Sequence, residues 1–429
     1  MTNTGHSPEG GNMRKVLFLV AVLLLLAGSI IAKGTDEKSG VVAEKSNEIT
    51  VVYLFDPPWY EQAAEFTKQT GIKVNYVEVT FPELRQRSLA SFLSQETRFD
   101  VIHLRSDWVA EFADKGFLEP ISQYIAPEVL DGYAKSSLEN LSWKGELYGL
   151  PRYYWLWQLY YNKEVLQKAG IENVPETWND LINLAPTIKK TGSEVLLGGL
   201  QRYNLAAMVY ILVRGEGGNV LDENGKAAIN SPEGIKALET MKKLYDTGTL
   251  SKTALEMDGT GPASDLFMQG GYAFLLSTPH TYPMAQDPTR STLVDKVGVG
   301  LIPSGSVSSA AWNEPAGVGI PYNSRNKELA AKFLQFVTSA EQQKTIALKL
   351  GRIPTREEVL KDPDVLAKYP HFASIEKQIA YPNGIIKSAY AQEILDAVSA
   401  TALKVLYNQV SIESGLASLE KEINTIAEQ

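Results

Sequence analysis

The sequence predicts an α/β protein with two domains, and three observations lead to this fold class. Apolar segments of strand length alternate with amphipathic segments of helix length from about residue 48 onward. Such alternation is typical of right-handed βαβ units with a mostly parallel sheet. A chain of 429 residues is longer than one hydrophobic core usually supports, so we expect two domains. Hydrophobic residues make up 44% and charged residues 21%, as in ordinary globular proteins.

The first part of the chain shows the alternation most clearly. The predicted strands and helices cover 49–55, 59–70, 72–79, 84–95, 100–104 and 107–115 in turn. In parallel sheets, ligands bind beyond the carboxyl ends of the strands. Two loops fall there, and each has a carboxylate beside an indole: Asp56 with Trp59, and Asp107 with Trp108. Each pair would offer a hydroxyl acceptor next to a stacking face; the alternative is a helix N-cap Asp followed by a core Trp.

Aromatic residues are concentrated between residues 143 and 166. Seven of the fourteen residues from 148 to 161 are aromatic, and this composition predicts a strand. Side chains alternate along extended backbone, so Tyr153, Trp155 and Trp157 would share one face. A sugar ring can stack on such a wall and hydrogen-bond at its edges. The alternative is that these rings belong to the hydrophobic core.

Composition and motif content argue against several functions. The net charge is −9 without a basic stripe, so we expect no nucleic-acid partner. Cysteine is absent, which excludes disulfides and thiolate metal sites, and the four histidines lack metal-ligand spacing. Phosphate-binding and nucleophile motifs are also missing. We therefore predict no metal and no cofactor. The remaining carboxylates and aromatic rings suit carbohydrate binding or glycoside hydrolysis.

The N-terminal segment has the features of a secretory signal in their usual order. Two basic residues, Arg14 and Lys15, precede an apolar run that ends at Ala32. The predicted limits are a signal peptide over 13–32, an upstream extension over 1–12 and a flexible linker over 33–47. The alternative is an uncleaved membrane anchor. Because no cysteine follows the apolar run, a lipoprotein anchor is excluded.

Six longer motifs resemble one protein family. They are FDVIHLRSDWVAEFADKGFLEPI at 99–121, GELYGLP at 145–151, LYYNKEVLQKAGI at 159–171, PETWNDL at 175–181, SRNKELAAKFLQFVTSAEQQ at 324–343 and LGRIPTREEVLKDP at 350–363. Their order and spacing are similar to those of the family 1 extracellular solute-binding proteins of ABC transporters. This group includes the maltose- and trehalose/maltose-binding proteins. The similarity extends from about residue 49 to the C-terminus.

The resemblance implies a two-lobe, periplasmic-binding-protein-like fold of type II. Each lobe would be a mostly parallel sheet flanked by helices, and a hinge would join the lobes. The implied limits are 48–153 with 303–338 for the N-terminal lobe, and 154–302 with 339–429 for the C-terminal lobe. The implied crossings between the lobes lie near 153–157, 298–303 and 337–341. Because the ligand would lie between the lobes, the aromatic stretch would be a hinge that also lines the cleft.

The chain departs from the malto-sugar and trehalose-binding members at several cleft positions. Trp155 stands where those members usually have an acidic residue, and Arg352 where that group can carry Trp. Thr278 and His280 lie near positions of Trp in those members, and Glu314 lies near their Gly-Gly-Trp. A guanidinium near the cleft favours a ligand with a carboxylate or several acceptor oxygens. We therefore expect weak maltose binding and a preference for another glycoside, one with an acidic group.

From the residues and the resemblance, we predict an exported, monomeric substrate-binding subunit of an ABC importer. It would bind a sugar or oligosaccharide and deliver it to permease subunits in the membrane, without catalysis. The alternatives are a secreted glycosidase that uses Asp56, Asp107 or Glu314, and a ligand-sensing component for a membrane receptor. The expected ligand contacts are aromatic, charged or polar residues of the cleft: Asp56, Trp59, Asp107, Trp108, Tyr153, Trp155, Trp157, His280, Tyr282, Trp312, Glu314, Arg352 and Tyr390.

Overall fold

The computed structural model describes residues 47–54, 57–94 and 98–428. Strands and helices alternate over the first third of the chain. The predicted signal peptide, the predicted linker apart from residue 47, and Asp56 lie outside these ranges. The elements of this first third are β1 (Glu48–Leu54), α1 (Pro57–Thr70), β2 (Lys73–Val79), α2 (Phe81–Phe92), β3 (Val101–Arg105), α3 (Ser106–Asp114), α4 (Pro127–Leu130), α5 (Lys135–Asn140), β4 (Ser142–Trp143), β5 (Glu146–Leu147) and β6 (Gly149–Tyr153).

Helices dominate the rest of the chain. The middle part contains β7 (Gln158–Asn162), α6 (Lys163–Lys168), α7 (Trp178–Lys190), β8 (Glu194–Val195), α8 (Tyr203–Gly215), α9 (Pro232–Asp246), α10 (Lys252–Glu256), α11 (Thr260–Phe267), β9 (Tyr272–Ser277), α12 (Thr281–Ala285) and β10 (Val297–Gly300). The last part contains β11 (Ala311–Trp312), β12 (Ala316–Gly319), α13 (Lys327–Val337), α14 (Ala340–Leu350), α15 (Glu357–Leu360), α16 (Pro363–Lys368), α17 (Phe372–Ala380), β13 (Asn383–Gly384), α18 (Ala391–Leu406) and α19 (Ile412–Ala427).

Two larger sheets organise these elements. The first has the order β2-β1-β3-β12-β6, with β1 parallel to β2 and β3, and β12 antiparallel to β3 and β6. The second has the order β10-β7-β9-β8, and only its β8–β9 pair is parallel. The α/β class is therefore confirmed, but neither sheet is mostly parallel: two of the four strand pairs of the first sheet and one of the three of the second are parallel. In the second sheet, the inner strand β7 follows β6 of the first sheet along the chain and lies antiparallel to both of its neighbours, β10 and β9.

Each sheet belongs to its own hydrophobic core, and these two cores define the lobes. The first core contains buried residues of β1 to β6, of β12 and of α13. The second contains buried residues from Tyr154 to Ile302, then Ala311 and Trp312, and again residues from Ala347 to the C-terminal helix α19. A small third cluster of Tyr153, Ala316 and Ile346, with Trp155 packed against it, is separate from both. Two cores of this kind are what a two-lobe fold requires.

The chain passes between the cores three times, and two of the passages lie side by side. The backbone N–H of Tyr154 donates to the carbonyl of Ile353 at 2.8 Å, and that of Trp157 donates to the carbonyl of Trp312 at 2.9 Å. Trp312 belongs to the second core and Val318 to the first, so the second passage lies between them. The prediction of a crossing near 298–303 is therefore wrong.

The reason for this shift is that residues 303–310 remain attached to the second lobe. The backbone N–H of Ser304 donates to the carbonyl of Glu176 at 2.8 Å, and the hydroxyl of Ser309 donates to the carbonyl of Ile302 at 2.7 Å. The remaining passage falls between Val337 in the first core and Ala347 in the second.

Candidate ligand-binding site

A cavity of about 270 Å³ lies where the two lobes and the passages between them meet. Its described lining is contributed by both lobes and by the passages: Tyr53, Leu54, His103, Arg105, Tyr153, Trp155, Tyr203, Gly259, Thr260, Glu314, Ala316 and Arg352. A larger depression of about 700 Å³ lies on the outer surface of the second lobe, near Lys189 and Tyr245, and has no lining from the first lobe. The cavity between the lobes is therefore the candidate ligand site.

The position of this cavity follows from the strand ends. β1 ends at Leu54 and β3 ends at Arg105, and both residues line the cavity. The cavity therefore lies at the carboxyl ends of these strands, where the prediction places the ligand. The lining residues, however, are the last residues of the strands rather than the carboxylate–indole pairs that follow. Because helices begin within the next residues, the side chains of Trp59 and Trp108 turn into the first core, where they are 0% and 8% exposed.

Three of the predicted indoles lie directly behind the cavity wall. The Trp59 ring stacks on Tyr53, with centroids 4.3 Å apart. The guanidinium of Arg105 lies 5.5 Å from the ring centroid of Trp108. A third indole, Trp312, is 1% exposed, and its Nε1–H donates to Glu314 Oε1 at 2.8 Å. These rings support the residues that face the cavity and do not line it themselves.

Arg105 is held between two carboxylates. It contacts Asp107 through Nε and Nη2 at 2.7 and 2.8 Å, and its Nη2 lies 2.9 Å from Glu314 Oε2. Burial opposes the charge of Arg105, but Asp107 and Glu314 outweigh burial and raise its pKa. Burial also raises the pKa of Glu314 to about 7, against the opposing effect of Arg105. Asp107 therefore orients the guanidinium from behind the wall, whereas Glu314 lines the cavity.

The aromatic stretch supplies the wall on the side of the passages. Tyr153 and Trp155 line the cavity, and their rings lie 6.1 Å apart, whereas their contact with a ligand stays a prediction. The guanidinium of Arg352 lies 5.2 Å from the Tyr153 centroid and 4.8 Å from that of Trp155. His280 does not line the cavity but stacks on Trp155 at 5.7 Å. Burial, and then the charges of Arg352 and Arg290, lower the pKa of His280 to about 4, so its imidazole is neutral at pH 7.

The second lobe closes the cavity with Tyr203, Gly259 and Thr260. Burial, and then the charge of Glu314, raise the pKa of Tyr203 to about 12, so its hydroxyl remains a donor at neutral pH. The loop at Gly259 is packed tightly, because a Cβ atom on Gly199 would lie 2.2 Å from the Gly259 carbonyl oxygen. A side chain at residue 199 would therefore displace the backbone that borders the ligand site.

Three further predicted contacts lie away from the cavity. Trp157 is 2% exposed and belongs to the second core, because the chain has already entered that lobe. Tyr282 packs against His371, with ring centroids 4.1 Å apart. Tyr390 immediately precedes α18 and packs against the second core. Asp56 lies outside the described residues, so its role stays a prediction.

Several residues of the cavity wall had not been identified from the sequence. Tyr53 and His103 are buried in strands whose neighbouring residues are buried or half-buried as well, so no alternation marked them, and only the position of the strand ends pointed to them. Burial and the charges of Arg105 and Arg152 lower the pKa of His103 to about 3, which makes it a neutral hydrogen-bonding group. Tyr203 and Thr260 lie far along the chain from every predicted contact, and no local pattern marked them.

The geometry defines a class of protein: a two-lobed binding protein that holds a small ligand between its lobes. The sequence profile described as bacterial extracellular solute-binding protein matches residues 55–344, and the chain belongs to this family. It is a substrate-binding protein, as predicted. Family membership also implies that the protein is exported.

Individual relatives agree with this family. A protein of Deinococcus radiodurans named probable ABC transporter-binding protein is 26% identical over 386 residues, which cover 85% of this chain and 89% of that one. The arabinooligosaccharide-binding protein of Bacillus subtilis is 25% identical over 381 residues, covering 83% and 84%. The solved structure of maltose-bound T. maritima MalE3 matches with a TM-score of 0.79 and 26% identity, over 88% of this chain and 99% of that one. These similarities confirm the predicted family and the two-lobe fold.

Proposed function

We propose that this protein binds a sugar or short oligosaccharide in the cleft and delivers it to the permease of an ABC importer. The observation that carries the proposal is the cavity wall, in which Tyr153 and Trp155 lie beside the fixed polar groups of Arg105, Glu314 and Tyr203. Aromatic rings contact the C–H groups of a sugar, and the polar groups bind its hydroxyls. The names of the relatives, which refer to arabino-oligosaccharide and maltose, support the same ligand class.

The direct test is isothermal titration calorimetry against a panel of neutral sugars, polyols, sugar acids and oligosaccharides. Amino acids and short peptides serve as the comparison ligands. We expect at least one carbohydrate to bind in the micromolar range or tighter. A protein that binds an amino acid or peptide and no carbohydrate would contradict the proposal.

The transport role has its own test. We expect that deletion of the coding sequence abolishes uptake of the radiolabelled ligand and that the purified protein is a monomer by light scattering. If uptake persisted in the deletion strain while the response to the ligand was lost, the sensor alternative would be favoured.

A glycosidase is the alternative within carbohydrate chemistry, and the arrangement of Asp107 and Glu314, the two described carboxylates of that alternative, disfavours it. Asp107 is held by both Nε and Nη2 of Arg105 and does not line the cavity. Glu314 already accepts from Trp312 and contacts Arg105. We therefore propose that the protein has no catalytic activity. Release of nitrophenol from an aryl glycoside of the bound sugar would contradict this.

Export through a cleaved signal peptide stays a prediction. It rests on the basic and apolar order that ends at Ala32. Within the described ranges, no helix has the length and apolar composition that a membrane span needs. Sequencing the N-terminus of the secreted protein should place it near Lys33. An intact segment 16–32 in the membrane fraction would instead support the anchor alternative.

A further inference from the structure

We infer that the ligand is an acidic sugar and that the guanidinium of Arg352 binds its anionic group. This inference rests on the proposed function, because it specifies the ligand of the same cleft. Three features lead to it: the unused donors of Arg352, the engagement of Glu314 and Asp107 by Arg105, and the neutral imidazole of His280.

The guanidinium of Arg352 is held in place but not neutralised. Its Nε and Nη1 atoms are buried and have no hydrogen-bond partner among the described residues, and it takes part in none of the ion pairs found there. Its contacts are with the faces of the Tyr153 and Trp155 rings, at 5.2 and 4.8 Å. A guanidinium that lies over aromatic rings still has its in-plane N–H donors available. Because Arg352 lines the cavity, a ligand with suitable oxygens can accept from them.

The described carboxylates near the cavity do not serve Arg352. Glu314, in the wall, and Asp107, behind it, both contact Arg105, at 2.7 to 2.9 Å. Both carboxylates are therefore engaged by Arg105, whereas no described carboxylate forms an ion pair with Arg352. A buried donor without a partner is unfavourable, so an anion that accepts from it gains a charge-assisted hydrogen bond. A neutral sugar can also accept from the guanidinium at the same place, but it does not balance the positive charge.

The imidazole of His280, next to Trp155, does not offset the positive charge of Arg352. His280 stacks on that ring and interacts with the oxygen of Thr278 through Nδ1. Its imidazole is neutral at pH 7, so it neither repels Arg352 nor neutralises it. The side of the cleft formed by Tyr153, Trp155 and Arg352 therefore combines an apolar aromatic wall with one unbalanced positive charge. A sugar ring bearing a carboxylate or phosphate matches both.

The test compares ligands that differ only at C6 of the ring. Glucose, glucuronate and glucose 6-phosphate form one such set, and galactose, galacturonate and galactose 6-phosphate form another. Calorimetry at low and moderate salt should show at least tenfold tighter binding of an anionic member than of its neutral counterpart. The preference of carboxylate over phosphate, or the reverse, identifies the anionic group.

Variants of Arg352 assign the effect to that residue. Arg352→Gln should weaken binding of the anionic sugar at least tenfold and change binding of the neutral sugar less than threefold. Arg352→Lys keeps the charge but not the planar set of donors. Its affinity for the anionic sugar should therefore lie between those of the wild type and Arg352→Gln. Arg87→Gln is the matched control, because Arg87 is 52% exposed on α2 and pairs with Glu83 at 3.6 Å. It removes the same charge outside the cleft and should leave both affinities unchanged.

The possible failures are distinguishable. Equal or tighter binding of the neutral members would overturn the inference and leave the proposed sugar-binding function intact. Equal losses for neutral and anionic ligands in Arg352→Gln would overturn it as well, and thermal melts would show whether that variant is folded. If no carbohydrate of either kind bound, the proposed function and the inference would both fail.

Discussion

Trp59 and Trp108 were predicted to contact the ligand, and in the structure they support Tyr53 and Arg105, which line the cavity. The sequence placed both indoles just after strand ends, but in the structure Trp59 and Trp108 lie in the first turns of α1 and α3 rather than in loops. It could not show where the indoles point. α1 begins three residues after the end of β1 and α3 directly after the end of β3, and each residue of a helix rotates the side-chain direction by about 100°. A shift of one or two residues therefore decides between cleft and core.

Trp155 and Trp157 provide a direct test of this distinction, because they are neighbours on the same extended segment. Trp155 lines the cavity and holds Arg352, so Trp155→Ala should weaken ligand binding about tenfold with a small loss of stability. Trp157 is 2% exposed in the second core, so Trp157→Ala should lower the free energy of unfolding by about 3–5 kcal/mol. Calorimetry and urea denaturation measure the two effects. A tenfold loss of affinity in a fully stable Trp157→Ala would contradict the assignment.

His371 should make the protein less stable in acid. Burial lowers its pKa to about 3, whereas an unfolded histidine has a pKa near 6.5. Below pH 6.5 the unfolded state therefore binds a proton that the folded state does not. The free energy of unfolding then decreases by up to about 1.4 kcal/mol per pH unit from this residue alone. His103 and His280 act in the same direction.

The variant His371→Phe should remove one of these three contributions and keep the ring packed against Tyr282. Urea denaturation at pH 7.5, 6.5 and 5.5 would measure the difference. We expect the stability of the variant to decrease less steeply below pH 6.5 than that of the wild type. Parallel curves for the two proteins would show that His371 is protonated in the folded state.

At the scale of single elements, short-range signals predicted more than long-range ones. Thr177 was predicted as the N-cap of a helix, and it forms a capping box with Asp180, whose backbone N–H lies 3.1 Å from Thr177 Oγ1. The pairing of β7 with β9 and β10 was not predicted. Antiparallel contacts between residues more than a hundred positions apart depend on the whole lobe and leave no periodic pattern in either strand.

Gly317 of β12 has little room for a side chain. Gly317 lies between β3 and β6, and a Cβ atom there would lie 2.5 Å from Leu141 Cδ1 and 3.0 Å from the Leu150 carbonyl oxygen. Gly317→Ala should lower the free energy of unfolding by about 1–3 kcal/mol. Gly271→Ala is the control, because nothing lies within 4 Å of a Cβ atom at that position. Urea denaturation should show a change within about 0.5 kcal/mol for the control.

At the scale of the whole molecule, the two lobes and the family were predicted from the order of six motifs, but the cavity was predicted only in part. Tyr203 and Thr260 reach the cavity because the second lobe folds around its own core and presents them to the first. The second passage was placed about ten residues too early, since residues 303–310 stay with the second lobe through local hydrogen bonds.

Ligand should make the molecule more compact. The lobes have separate cores and meet at the cavity, so contacts of a ligand with both lobes favour a closed arrangement. Small-angle X-ray scattering with and without saturating ligand should show a smaller radius of gyration in the bound state. Trp155→Ala is the control: at a ligand concentration close to the wild-type Kd, where a tenfold weaker variant is mostly unoccupied, its radius should remain closer to the unbound value than that of the wild type. An unchanged radius at full occupancy would count against closure.

The distribution of the cavity lining also has a consequence for the time course of binding. The first lobe and the passages supply most of the described wall, whereas the second lobe supplies Tyr203, Gly259 and Thr260. A ligand can meet the first set before the lobes approach, and the second set afterwards. Thr260→Val should therefore raise the dissociation rate constant severalfold and change the association rate constant less than twofold. Stopped-flow tryptophan fluorescence would separate the two constants. A severalfold lower association rate constant in Thr260→Val would show that the second lobe takes part in the first encounter.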